Sequence, residues 1–374
     1  MRRLSAWGGA ILVLAAGLLP GAAPGQAVPP AASAKGAPPA PPGLTAPRVK
    51  AAAIPVFREE LRKIVDELAQ YAETRDRRFL IIGRMPQGLM ATSRWERWHA
   101  ILADPAVQDR AAVPDDAPGG PLRRIVHDLA GVAIDDANCA KPAVPRVEPP
   151  SALPPPSPIL MTPELVEKLR GLGLTMMGLD SCGKESPAAV AARGRKAKIL
   201  SIRVAEGRIP ADRPPQENAR AVTGLAQAEN GLAALAPGAY PTKEAWLAAL
   251  RKSNADLLAV DAFFRADIPL TKADVAALRY KFNGPRRLLL TEIDLTRARD
   301  DRFYWKRDWQ AGHPAFLRKA EGGKHPAIAV DFWDPAWKAI IGEYFKGVMD
   351  LGFDGVILSG LDAPDALEQE TLLE

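Results

Sequence analysis

Apolar residues recur along this chain in two alternating rhythms. From Val56 to Thr74 the positions Phe57, Leu61, Ile64, Val65, Leu68 and Tyr71 make one helical stripe with charges on the opposite side. Phe79-Leu80-Ile81-Ile82-Gly83 follows as a short unbroken apolar run, the mark of a strand covered on both faces. The pair of signals then repeats. A helix over 122–129 precedes the run Gly131 to Asp135. A second helix starts at Pro163-Glu164, stops at Gly171 and feeds Gly173 to Asp180. A helix over 187–195 leads to Lys198 to Val204, and one over 242–253 leads to a strand ending at Asp261.

Further runs cover Arg286 to Asp294 and Ala327 to Trp333. Asp334 then reads as a helix N-cap with Pro335 in the first turn, and Trp337, Ile340, Ile341, Tyr344, Phe345 and Val348 keep helical spacing until Gly352. Phe353 to Leu358 is the last strand. Strands near 79, 131, 174, 198, 256, 287, 327 and 353, most of them separated by a helix, predict an α/β fold of the (β/α)8 TIM barrel type. The 205–241 connection reads as a long loop with room for a short element at its Gly-Leu-Ala-Ala run.

In such a barrel, catalytic groups stand at the carboxyl ends of the strands. The long connections 84–121, 136–161, 205–241 and 295–334 all follow strands and would crowd that face. Its candidate acids are Asp135 or Asp136, Asp180, Asp261, Glu292 or Asp294, Asp331 and Asp362. Carboxylates gathered together repel, so one keeps its proton while another stays ionised, as acid–base chemistry requires. Strand-end aspartates also cap helices and fix turns, the better account of Asp334 and Asp354. Among these acids Asp261 would serve as nucleophile or base, and Asp294 or Asp180 as proton donor. Tyr304, Trp305, Trp309 and Trp333 would either line a glycan groove, with Glu292 and Asp331 beside them, or pack the base of a long loop.

The runs Arg302-Phe303-Tyr304-Trp305, Phe332-Trp333-Asp334-Pro335-Ala336-Trp337 and Gly352-Phe353-Asp354-Gly355-Val356 resemble those of glycoside hydrolase family 114, the endo-α-1,4-polygalactosaminidases and their extracellular relatives. Asp256 to Phe263 resembles that family's opening strand, so the resemblance spans about 240–363. It implies a (β/α)8 barrel, an amino-sugar polysaccharide as partner, and Asp261 in the site. Two positions depart from the family pattern. Thr296, Arg297, Ala298 and Arg299 stand where the family carries a Gly-Glu-Ala-Glu run, and the last strand ends in Ser359 where an acid is usual. Arginine and serine cannot do a carboxylate's work, so a non-catalytic carbohydrate-binding relative is the alternative. The segment Phe57 to Gly88 resembles one that the family carries after its Gly-Phe-Asp-Gly-Val strand. Here it comes first, and a circular permutation is the expectation.

With 47% hydrophobic and 25% charged residues among 374, the composition is that of a globular chain. Residues 1–27 read as a secretory signal peptide, with Met1-Arg2-Arg3 before the apolar Leu4 to Leu19, so a secreted or periplasmic protein without stable membrane insertion is expected. Residues 28–53 read as a Pro/Ala-rich linker, 54–366 as the barrel domain, and 367–374 as a C-terminal tail. The net charge of +5 is spread out, and the short basic run at Arg193 to Lys198 reads as a solvated face, so no nucleic acid is expected. No cofactor or metal is expected, since His99, His127, His313 and His325 show no ligand spacing. Cys139 and Cys182 each follow a strand, and a disulfide between them is reasonable in an exported chain. Nothing in the pattern speaks to oligomeric state.

Overall fold

The computed structural model describes residues 54–103, 113–140, 161–265, 268–320 and 327–373. Eight parallel strands close into a barrel: β1 (Leu80–Arg84), β2 (Gly131–Asp135), β3 (Thr175–Asp180), β4 (Leu200–Val204), β5 (Gly231–Ala234), β6 (Leu257–Val260), β7 (Leu288–Asp294) and β8 (Gly355–Ser359). Each pairs with its neighbours in chain order. β1 and β8 close the ring, Leu80 beside Gly355 and Gly83 beside Leu358. First and last strands therefore touch, and a permuted strand order would preserve the same contacts.

The unbroken apolar runs are explained by what covers them. Inside the ring, Ile82, Ala133, Met177, Leu179, Ile202, Ala233, Leu257, Ala259, Leu288, Leu290 and Ile357 fill the interior as packed layers. The intervening residues, among them Val132, Met176, Leu232, Leu258, Leu289 and Val356, face outward and pack on the helices through Leu61, Trp246, Trp337 and Phe345. Alternation thus divides every strand between two cores, and burial on both faces removes the polar positions that mark an exposed sheet.

Two expectations change. The run near 327 is not a barrel strand: Ile328–Val330 lies in a separate three-stranded sheet with Arg297–Ala298 and Leu317–Ala320. The missing barrel strand is β5, inside the 205–241 connection. Its Gly-Leu-Ala-Ala sequence has weak strand preference, because burial between neighbours rather than propensity selects it. A Cβ on Gly231 would come within 2.8 Å of Ile202 Cγ1, so the strand's close approach to β4 needs glycine there. The Pro-rich stretch read as a loop lies largely outside the described residues, as do the signal-like segment and the linker. The domain also extends through the helix Ala363–Leu373, into the segment read as a tail.

The amino ends of the strands are sealed by polar groups. Asp256 and Lys281 form a fully buried ion pair, and Lys281 also donates to the carbonyls of Asn218 and Arg220, tying the 205–230 segment under the barrel. Arg287, also fully buried, donates to the carbonyls of Leu278, Ser253 and Leu250 at the ends of two helices. Those carbonyls carry the negative end of the helix dipoles, so a guanidinium satisfies them without a carboxylate. Burial lowers the Arg287 pKa to about 10, which leaves it charged at neutral pH.

Candidate functional site

A cavity of about 460 Å³ opens at the carboxyl ends of the strands. The interior parity that stacks apolar layers lower down delivers its polar groups. Following Ile82 comes Arg84; following Ala133, Asp135; following Leu257 and Ala259, Asp261; following Leu288 and Leu290, Glu292 and Asp294; following Ile357, Ser359. β6 and β7 run in register with Ala259 beside Leu290, and two residues further on this sets Asp261 beside Glu292. Ser359 pairs directly with Asp294.

Each acid is held differently. Asp261 is 6% exposed, accepts the backbone N–H of Phe263 at 3.0 Å and forms an ion pair with Arg302 at 2.8 Å. Burial pushes its pKa up, with Arg302 acting in the opposite direction. Asp294 accepts three hydrogen bonds on Oδ1, from the Thr296 N–H and hydroxyl and from the Arg297 N–H. Burial is again the main cause of a raised pKa there, and the negative charge of Glu292 adds to it. Glu292 is bound by Arg84 at 2.9 Å, and the same guanidinium holds Asp135 through two bonds of 2.8 and 3.1 Å. Gly360, at φ +78°, turns the chain immediately beside this cluster, and a Cβ there would fall 2.7 Å from Asp294 Oδ1.

Aromatic groups close the wall. Tyr304 accepts the Arg299 N–H through its hydroxyl, and burial lifts its pKa to about 12. Tyr344, from the helix Pro335–Leu351, also lines the cavity. Its hydroxyl is buried without a hydrogen-bond partner among the described residues. Phe303 stands next to both and is 46% exposed.

Of the residues singled out from sequence, Asp135, Asp261, Glu292, Asp294, Tyr304 and Asp362 meet in this cavity. Asp180 does not. The interior positions of β3 are Met177 and Leu179, so Asp180 faces the helix layer, where Asn138 donates its backbone and side-chain N–H groups and Ser201 its hydroxyl. A carboxylate so occupied anchors a loop and offers no proton to the cavity. Asp331 belongs to the side sheet and pairs with Arg318. The tryptophans stand in packing roles: Trp305 against Trp309, Trp309 against Phe316, and Trp333 against Phe57 and Phe332. Arg84, Arg302 and Tyr344, which line the cavity, were not singled out as site residues. Parity counted from the apolar layer would have pointed to Arg84, but no local pattern marks the others.

Cys139 and Cys182 are joined in a disulfide with Cα atoms 5.3 Å apart. With Glu185 they form the one cluster of metal-ligand types among the described residues, but sulfurs in a disulfide are not thiolate ligands. No described helix is long and apolar enough to cross a membrane.

No family model matches the chain. An uncharacterised protein of Deinococcus radiodurans is 32% identical over 117 residues, covering 31% of this chain and 36% of its own length. Another, of Methanocaldococcus jannaschii, is 28% identical over 145 residues, covering 39% and 41%. A third, of Thermotoga maritima, is 31% identical over 81 residues, covering 22% and 25%. The chain thus spans less than half the length of these curated relatives. Among solved structures, the spore cortex-lytic enzyme SleL of Bacillus megaterium is 10% identical with a TM-score of 0.21, over 85% of this chain and 70% of that one. The unliganded α-L-fucosidase AlfC of Lactobacillus casei is 9% identical with a TM-score of 0.18, over 84% and 100%. Likenesses this shallow carry no argument about chemistry, and the barrel rests on its own strand pairings.

Proposed function

We propose that this protein is a glycoside hydrolase-like barrel that binds an amino-sugar polysaccharide in the mouth cavity and cleaves it with Asp294 and Asp261. The observation that carries the reading is the shared cavity of Asp261, Glu292 and Asp294, three carboxyl groups in unlike surroundings. Glycosidic bond cleavage needs one carboxyl group that keeps its proton for the leaving oxygen and another that stays ionised. Burial raises the pKa of both Asp294 and Asp261. Asp294 is assigned the first task because the neighbouring Glu292 charge adds to that rise, against the Thr296 and Arg297 N–H groups, and Asp261 the second because Arg302 at 2.8 Å and the Phe263 N–H oppose the rise and hold the carboxylate in place. The sequence resemblance over 240–363 supplies the substrate class. The leader-like N-terminus and the disulfide support export to an oxidising compartment.

A second reading has its own observation. Arg297 and Ser359 line the cavity at positions where the resembling family carries acids, and Arg84 is ion-paired with both Asp135 and Glu292. A site of this kind could hold a glycan without breaking it. The deciding experiment incubates the purified protein with partly deacetylated polygalactosamine and follows both binding and new reducing ends. Binding with new ends supports the hydrolase, binding without them supports the second reading, and absence of binding removes the amino-sugar assignment.

A further inference from the structure

Four arginines, Arg84, Arg297, Arg299 and Arg302, line the mouth cavity together with five acids, Asp135, Asp261, Glu292, Asp294 and Asp362. An amino-sugar polymer offers such a cavity two kinds of unit, one with a charged free amine and one with a neutral acetamido group. The bonds already made in the wall decide between them. Asp135 accepts two hydrogen bonds from Arg84, and Glu292 accepts a third from the same guanidinium. Asp261 is taken by Arg302 and the Phe263 N–H. Asp294 accepts from Thr296 and from the Arg297 N–H, and in the proposed reaction it carries a proton. Asp362 is exposed to water. With Asp294 protonated, four guanidinium groups stand against the four remaining carboxylates, so the lining is balanced before a ligand enters.

An ammonium group entering this lining would lose water among cations of its own sign, and would compete with Arg84 or Arg302 for the carboxylates they hold. An acetamido group brings no charge. Its carbonyl oxygen accepts from guanidinium N–H groups, and its methyl group can lie on the apolar part of the lining, Met85, Leu235 and Ala327. Met85 stands at φ +51°, so the chain leaves the strand alternation directly after Arg84 and this apolar residue joins the cavity wall. We propose that the sugar unit bound in the mouth cavity is N-acetylated, and that the arginines of the lining reject a unit carrying a free amine. The inference rests on the amino-sugar reading of the cavity and adds which of the polymer's two units it accepts.

The test titrates wild type, Arg84→Gln and Arg299→Gln at neutral pH, by calorimetry, with two tetrasaccharides of galactosamine, one fully N-acetylated and one fully deacetylated. Wild type is expected to bind the N-acetylated form at least about tenfold more tightly. In Arg84→Gln two carboxylates lose their cation, so the deacetylated form should gain affinity and the ratio between the two should narrow about tenfold. Arg299→Gln, which removes one guanidinium and leaves Arg84 in place, should narrow the ratio severalfold, and it carries the test should Arg84→Gln not fold. A purely structural role for these arginines would weaken both tetrasaccharides alike and leave the ratio unchanged in both variants, which overturns the proposal. Equal or tighter binding of the deacetylated form by wild type also overturns it, while the amino-sugar reading stands. Should wild type bind neither tetrasaccharide, the amino-sugar reading itself falls.

Discussion

Arg302 reaches from the loop after β7 to the carboxylate of Asp261 at the tip of β6, closing a 2.8 Å ion pair within the cavity wall. Both side chains are largely buried, so each is the other's main source of charge compensation. Replacing Arg302 by Met should leave a buried carboxylate alone, costing about 3–5 kcal/mol in urea unfolding. The Asp261 pKa, already raised by burial, should rise further, and NMR titration of the side-chain carboxyl carbon reads this directly. The double variant Arg302→Met, Asp261→Asn should recover part of the loss. Additive losses in the double variant would show that the two residues do not support one another.

Glu368 ties the C-terminal helix to the first helix, accepting from Arg58 Nε at 3.0 Å and from the Ser93 hydroxyl at 2.9 Å. Burial raises its pKa from 4.5 to about 7, with Arg58 pulling the other way. The folded value lies above the unfolded one, so the native state keeps the proton longer. Its contribution to stability is therefore complete below about pH 4.5 and is lost as pH rises through 7. Between pH 5 and pH 8 wild type should lose roughly 3 kcal/mol more than Glu368→Gln, measured by urea unfolding at each pH. Parallel pH profiles for the two proteins would refute this.

The disulfide closes a sequence separation of 43 residues. On the chain-entropy account a loop of that length stabilises the fold by about 4 kcal/mol. Replacing both cysteines by serine should lower the urea midpoint accordingly, while the glycan binding proposed for the mouth cavity, which neither cysteine lines, should be unchanged.

Arg287 offers a control at the other end of the barrel. Substitution by Met would remove one donor from each of three helix-end carbonyls, of which those of Ser253 and Leu250 keep a backbone N–H partner, at about 1–3 kcal/mol. Glycan binding per folded molecule should be unaffected. A loss of affinity at full folding would mean that the two ends of the barrel are coupled.

Most of the barrel could be read from the chain because a strand covered on both faces leaves an apolar run that interrupts helical periodicity, as at Phe79–Ile82 and Val356–Leu358. β5 was hidden because Gly231-Leu232-Ala233-Ala234 owes its strand state to neighbours distant in sequence, and Ile328–Val330 misled because a short strand looks the same in any sheet. The site was half legible. Asp261, Glu292 and Asp294 follow from strand ends, whereas Asp180 shows that a strand-end acid reaches the mouth only on the interior parity.

In the proposed reaction Asp294 donates the proton for glycan cleavage at the mouth cavity. The most direct measurement compares release of reducing ends from partly deacetylated polygalactosamine by wild type and Asp294→Asn at equal bound substrate. The variant is expected to bind as wild type does and to release ends at least a hundredfold more slowly. Equal rates from the two proteins would contradict it.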